Sequence, residues 1–274
     1  MVKKAIVAIL FSAVFLFANQ TLDDTIKSYV GASKYETQKN LINVLFASSG
    51  DFLKHDGRVD SVKVMDVLKK NGLVRLLYPE PVHLRLAFRT QHEPLIFLKI
   101  INETLELMGY NYFLTNNALR DQAGFVWEIY LQTEHILDPV SFANALGARG
   151  CSITHIVKNS DHYWFYDINS KEAHLGVKSL ENGVNTPLGK PLKPYWIGIK
   201  GAKEVMITSH ISDQWFPDVV FFDAYLNVVG DTKAEESVKT LKLSVPERAV
   251  YIKIGDTVML ENIKRGLSLH VKGN

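Results

Sequence analysis

The sequence contains a single cysteine, Cys151, in 274 residues. One cysteine excludes an internal disulfide framework, a cysteine-rich zinc module and a cysteine-ligated iron–sulfur cluster. Catalysis by this thiol would need a nearby base, but His155 lies four residues further along the same predicted strand, ~13 Å away at about 3.3 Å per residue. We therefore expect Cys151 to be a small core residue.

The chain also lacks an apolar run long enough to cross a bilayer. Its longest run, from Ala5 to Phe17, has 13 residues, whereas a membrane-spanning helix needs about 20. Lys3 and Lys4 precede this run, and small or polar residues follow it, which is the pattern of a secretory signal. We predict a signal peptide over residues 1–18, cleavage after Ala18, and a periplasmic protein without a later transmembrane span. Leu16 is large for its place before the cleavage site, so retention of the segment as an anchor stays an alternative.

An excess of charge of one sign is missing as well. The chain has 31 Lys and Arg residues and 29 Asp and Glu residues. Loss of Lys3 and Lys4 with the signal lowers the cationic total from 31 to 29, so the exported chain is formally neutral. Because nucleic-acid-binding domains usually carry a clustered basic surface, no nucleic-acid partner is predicted.

Local catalytic motifs are absent from the sequence. It contains no G-x-S-x-G elbow, Walker loop, H-E-x-x-H pair or EF-hand series. This favours a non-catalytic protein, and no cofactor is predicted.

The first predicted segment, residues 19–80, is helical. Tyr35 to Phe46 carries an apolar stripe typical of a helix. A second helix is expected to begin after the N-cap Asp60 and to end at Asn71 and Gly72. We place the end of the segment at the prolines Pro79 and Pro81, because proline disfavours helix in the residue before it.

The second segment, residues 81–170, has alternating strand and helix patterns. Alternation from Val82 to Phe88 predicts a strand, and Pro94 and Pro139 are each expected to open a helix. The full order is strand, helix, strand, strand, helix, strand, which is the split βαβ arrangement of a ferredoxin-like α+β domain. One further strand, His162 to Ile168, is expected to follow.

The third segment, residues 171–274, contains almost no helical pattern. Short apolar runs alternate with turn formers such as Asn182-Gly183 and Gly255-Asp256. Seven short strands in about a hundred residues predict an antiparallel β-sandwich of unspecified topology.

Two groups of residues could hold a metal, although turn formation explains most of them. His155 and His162 flank a predicted hairpin, close to Asp161 and Asp167, and such a set suits zinc. Oxygen ligands suitable for calcium occur in the predicted sandwich, without a fixed spacing: Asp213, Asp218, Asp223, Asn227, Asp231 and Asp256. No metal site is predicted from either group.

Aromatic residues suggest a ligand surface in the sandwich. Trp215 lies in a polar segment that reads as a loop, beside Asp213 and Gln214, and Tyr225 follows nearby. An exposed indole ring can stack on the C–H face of a sugar while polar neighbours bind its hydroxyl groups. These four residues are the predicted ligand-binding set, and the alternative is that Trp215 is a lid over the sandwich core.

A second aromatic run spans residues 162–166. Alternation separates Tyr163 and Phe165 from Trp164 and Tyr166, so one pair should face outward unless another element covers it. We predict a contact surface at Trp164 and Tyr166, with the neighbouring domain favoured over an external partner as its occupant.

Together these features predict an exported cell-envelope protein whose sandwich binds a glycan or another envelope protein. Two alternatives stay open. One is an exported hydrolase of cell-wall or peptide substrates, and the other is a scaffold subunit of a secretion or motility complex, which rests on fold analogy alone.

Overall fold

The computed structural model describes residues 21–273, so the predicted signal peptide, residues 1–18, lies outside the described part of the chain. The helices are α1 (Leu22–Val30), α2 (Ala32–Thr37), α3 (Lys39–Leu45), α4 (Ser61–Lys70), α5 (Pro94–Leu107) and α6 (Pro139–Gly147). The strands are β1 (Leu77–Thr90), β2 (Leu114–Asp121), β3 (Gly124–His135), β4 (Ser152–Ser160), β5 (Tyr163–Asn169), β6 (Asn185–Pro187), β7 (Tyr195–Gly198), β8 (Glu204–Ser209), β9 (Pro217–Phe222), β10 (Val228–Lys233), β11 (Thr240–Ser244), β12 (Tyr251–Asp256) and β13 (Leu267–Lys272). Within residues 21–273 no helix is long and apolar enough to cross a membrane.

The N-terminal segment is helical, as the sequence predicts. Asp60 caps α4 by accepting a hydrogen bond from the Lys63 N–H at 3.1 Å. The stripe from Tyr35 to Phe46 forms two short helices, because the backbone leaves helical geometry at Gln38. Val44 is consequently exposed, whereas Ile42 is buried.

A five-stranded sheet in the order β2-β3-β1-β5-β4 forms the centre of the α+β domain. Strands β1 to β4, with α5 and α6, follow the predicted ferredoxin-like βαββαβ order. The additional strand, β5, is inserted between β1 and β4 and runs parallel to β1. The helices pack on one face of this sheet, where Phe88 of β1 contacts Phe142 of α6 at a ring distance of 5.6 Å.

Two predicted boundaries in this domain differ from the structure. Pro79 and Pro81 lie inside β1, where the pairing with β3 shifts register between Leu77 and Val82. Proline is compatible with extended backbone at such an irregularity. The polar residues 116–124, which the sequence suggests as a connection, instead form most of β2 and its turn, because pairing with β3 outweighs their weak strand propensity.

The C-terminal part is an antiparallel β-sandwich with sheet orders β10-β9-β12-β7 and β11-β8-β13-β6. Its core is built from aliphatic residues of both sheets together with Trp215 and Phe221. The apolar run Val219–Val229 predicts a single strand, but a turn at Leu226 divides it between β9 and β10. The run Thr257–Leu260 also predicts a strand, but it leads into a short 3₁₀ helix.

The outer face of one sandwich sheet packs against the α+β domain. Trp196 stacks on Phe222, with ring centroids 4.8 Å apart, and the Lys99 ammonium of α5 lies 4.1 Å from the Trp196 ring centroid. Lys193 forms an ion pair with Glu106 of α5 at 2.7 Å. Apolar contacts, cation–π attraction and charge pairing therefore all hold the sandwich to α5.

Candidate functional site

Trp215 does not have the exposed ring that the sequence predicts. Its side chain is fully buried, and its indole N–H donates to the Gly255 carbonyl at 2.8 Å. Stacking on a sugar requires an accessible ring face. The structure therefore supports the alternative, in which Trp215 packs on the sandwich core, and its ring is itself a buried member of that core.

The other three predicted ligand residues do not share one surface feature with this ring. Asp213 is buried, and its carboxylate pairs with the guanidinium of Arg265. Gln214 and Tyr225 are exposed. The binding role of Gln214 and Tyr225 stays a prediction.

Trp164 and Tyr166 lie on the covered face of the sheet. Tyr29 of α1 stacks on Trp164 with ring centroids 6.2 Å apart, and Phe142 contacts Tyr166 edge-on at 5.5 Å. Both predicted contact residues are buried. The neighbouring N-terminal segment covers Trp164, as the favoured prediction has it, whereas Tyr166 is covered by α6 of its own domain.

The residues considered for metal binding do not converge. His155 lies opposite Asp167 in the β4–β5 ladder, but both oxygens of Asp167 accept hydrogen bonds from Arg89. His162 lies at the turn, against the ring of Tyr78. In the described part of the chain, no group of three or more His, Cys, Asp or Glu residues could hold a metal ion.

The acidic residues of the sandwich serve local structure. Asp256 accepts backbone hydrogen bonds from Phe216 and Val258 at 2.9 Å each. Asp223 accepts a backbone hydrogen bond from Asn227, also at 2.9 Å. These contacts explain why turn-forming acids recur here without a shared ligand.

Cys151 is buried, as expected for a core residue. Burial raises the pKa of its thiol to about 11. The thiolate that a nucleophile requires is therefore disfavoured at neutral pH.

An open groove of about 810 Å³ lies beside the carboxyl end of α5. Four separate parts of the chain build it: the end of α4, the start of β1, the turn after α5, and the segment joining β3 to α6. Its apolar lining residues are Leu76, Met108 and Ile136, and its polar lining residues are Lys69, Tyr110, Thr133, His135, Asp138 and Ser141.

Asp138 organises one side of this groove. Its carboxylate caps α6 through the Val140 N–H at 3.1 Å, and it also binds Ser141 at 2.8 Å and the Lys69 ammonium at 2.6 Å. Burial alone would raise the pKa of Asp138, but these hydrogen bonds and the charge of Lys69 outweigh burial and lower it. The groove consequently has a fixed ion pair at neutral pH.

Tyr110 supplies a neutral polar group to the same groove. Burial and the nearby negative charge of Asp138 raise the pKa of its hydroxyl to about 12. The hydroxyl keeps its proton at neutral pH and can donate a hydrogen bond, as it does weakly to the His135 carbonyl at 3.5 Å. The groove thus combines an apolar lining with directional polar groups, a composition suited to binding.

No local sequence pattern marks this groove. Pro139 predicts the start of α6 correctly, but the lining residues are up to 72 positions apart, from Lys69 to Ser141. One local signal is that the apolar pattern of α5 continues through its last residue, Leu107, into Met108. Leu107, next to Met108, and Leu77, next to Leu76, are both exposed.

Comparisons with known proteins add no functional argument. No protein-family profile matches the chain, and no curated protein matches it either. A chain from the crystal structure of accessory secretory protein 1,2 and 3 in Streptococcus pneumoniae matches 28% of this chain and 55% of its own length, at 15% identity and a TM-score of 0.19. This likeness is too low to carry fold or function to the present protein.

Proposed function

We propose that this chain is an exported, non-catalytic protein of the cell envelope that binds a protein partner in the groove beside α5. The observation that carries the proposal is the groove itself, in which an apolar lining lies next to the Lys69–Asp138 ion pair and the neutral hydroxyl of Tyr110.

The chemistry of the groove favours a polypeptide over a glycan. The apolar lining residues Leu76, Met108 and Ile136 are not aromatic, and of the lining residues only Tyr110 carries a benzene ring. Aliphatic surface instead suits the apolar side chains of another protein. Leu77 and Leu107, next in sequence to Leu76 and Met108, are exposed apolar side chains, as is common near interaction sites.

Site-specific photo-crosslinking in living cells tests the binding site. A photoreactive residue at Met108 should give a discrete cross-linked product, and Ile136→Lys in the same chain should abolish it by placing a charge in the apolar lining. The same photoreactive residue at exposed Thr240, in the sandwich, is the matched control. Equal labelling from both positions, or no product from Met108, would contradict the groove as the binding site.

The export part of the proposal has its own test. Mass spectrometry of protein from the periplasmic fraction should find an N-terminus at Asn19, because cleavage is predicted after Ala18. Protein that retains Met1 in the soluble cytoplasmic fraction would contradict export. That result would leave the binding site itself testable with purified protein.

A further inference from the structure

The two edge strands of the five-stranded sheet, β4 and β2, differ in whether side chains bind their outward backbone groups. At the β4 edge, side chains of the N-terminal segment bind outward backbone groups in the middle of the strand: the Tyr29 hydroxyl donates to the Ile156 carbonyl at 2.8 Å, the Ile156 N–H donates to Ser61 at 3.4 Å, and Lys54 donates to the Ile153 carbonyl at 3.0 Å. Such contacts block the addition of another strand. β4 is therefore a closed edge.

The β2 edge has no comparable cover among residues 21–273. A two-residue turn joins Asp121 to Gly124, which makes this pair hydrogen-bonded in the β2–β3 ladder. Ladder alternation then turns the backbone N–H and C=O groups of Ala118 and Arg120 away from β3. Side-chain contacts from the described residues do not reach these groups, so they can accept a further strand.

The chain that leads into and forms most of this edge is uncharged and partly apolar, and the charged residues of β2 are its last two, Arg120 and Asp121. Thirteen consecutive residues, Leu107–Leu119, carry no charge. Tyr112, Leu114 and Leu119 are 92%, 76% and 45% exposed, respectively. An exposed edge strand with this composition is typical of an interface, because interfaces are depleted of charge and rich in apolar and aromatic residues.

We propose that β2 pairs antiparallel with β2 of a second copy of this chain, with the two Leu119 side chains facing each other across a two-fold axis. The segment that pairs, residues 117–121, holds one cation, Arg120, and one anion, Asp121, so it has no net charge and can lie against a copy of itself. In this register Arg120 lies opposite Ala118, so both outward residues take part and no two like charges are directly opposed. The register shift between Thr115 and Asn117 confines the pairing to residues 117–121.

A second copy is supported as the partner of β2 because pairing of two copies leaves no open edge in the sheet. Two-fold pairing joins the two sheets into one ten-stranded sheet whose two outer strands are both β4. Since β4 is already a closed edge, the pair leaves no open edge in this sheet and assembly stops at two chains. This inference does not depend on the groove or on its partner.

Measurement of molar mass in solution tests the proposal. The purified exported chain should have twice the mass of one chain at micromolar concentration, and Ala118→Pro and Leu119→Lys should each have the mass of one chain. Proline at position 118 removes an outward N–H and spares the β3 ladder, while lysine introduces like charges across the axis. Val228→Lys, at an exposed position of the sandwich edge strand β10, is the matched control and should keep the double mass.

Leu119→Cys provides a second measurement of the register. Mild oxidation should link two copies of this variant through position 119, whereas Val228→Cys should remain unlinked. A wild-type chain of single mass throughout the micromolar range would overturn the proposal. So would a double mass that survives both β2 substitutions in variants with native circular dichroism, because the chains would then associate through another surface.

Discussion

Trp215 contacts both sheets of the sandwich, one through its side chain and the other through its backbone. Its indole N–H binds the Gly255 carbonyl of β12, while its backbone pairs with Val238, just before β11. A fully buried tryptophan contributes to stability through both apolar burial and this hydrogen bond.

Trp215→Ala should therefore lower the free energy of unfolding by about 3–5 kcal/mol. Denaturant unfolding followed by circular dichroism measures this change. Tyr225→Ala removes an exposed aromatic side chain nearby and should change stability by less than about 0.5 kcal/mol. Similar stabilities for the two variants would contradict the core role of Trp215.

Leu226 is the one non-glycine residue with positive φ in the described part of the chain, at 67°. Its side chain is buried in the core shared with the α+β domain. Left-handed backbone costs roughly 1–2 kcal/mol for a residue with a Cβ atom. The apolar contact of Leu226 offsets this cost.

Substitutions at Leu226 separate the cost of the left-handed backbone from the gain of the apolar contact. Both Leu226→Ala and Leu226→Gly lose the apolar contact, but only glycine adopts this backbone without strain. Leu226→Gly should therefore be more stable than Leu226→Ala by up to about 1 kcal/mol, as measured by thermal unfolding. The opposite order, which is normal at ordinary backbone positions, would show that the strain is absent.

At the scale of elements, Asp138 connects the start of α6 to the end of α4. Asp138→Ala removes both the cap and the pair with Lys69, and it should lower stability by about 1–2 kcal/mol at neutral pH. Asp138→Asn keeps a capping oxygen and should lose less. Thermal melts of the three proteins measure these differences.

The effect of Asp138 should also depend on pH in a defined direction. Its folded pKa lies below its usual value, so its contribution to stability is present above the unfolded pKa of about 3.9 and is lost as pH falls through the folded pKa. The stability gap between wild type and Asp138→Asn should consequently shrink below about pH 4. A gap that widens on acidification would contradict the lowered pKa.

The element order of the α+β domain was predictable, whereas the pairing of its strands was not. Pro94 and Asp138 mark helix starts through local backbone chemistry, which a short stretch of sequence contains. The position of β5 between β1 and β4 depends on pairing between strands that are far apart in sequence, and no local pattern specifies that pairing. Alternation also separated Tyr163 from Trp164, but a sequence pattern does not state which face the helices will cover.

For the whole molecule, the contact between the sandwich and α5 determines whether the two domains move as one. Trp196 lies between the Lys99 ammonium and the ring of Phe222. Trp196→Ala should lower stability by about 2 kcal/mol and make the connecting segment, residues 170–194, more sensitive to limited proteolysis. Met206→Ala, on the outer face of the other sheet, is the control and should leave the proteolysis pattern unchanged. Equal proteolysis of the two variants would mean that Trp196 does not hold the domains together.

The sequence by itself determined the export prediction, the helical start, the ferredoxin-like order and the all-β end, because these follow from local composition and periodicity. Only the tertiary structure decided that Trp215 is buried, that Trp164 lies beneath α1, and that residues from Lys69 to Ser141 meet in one groove. Burial and concavity depend on contacts between residues far apart in sequence, and periodicity within one element contains no information about which distant element will cover it.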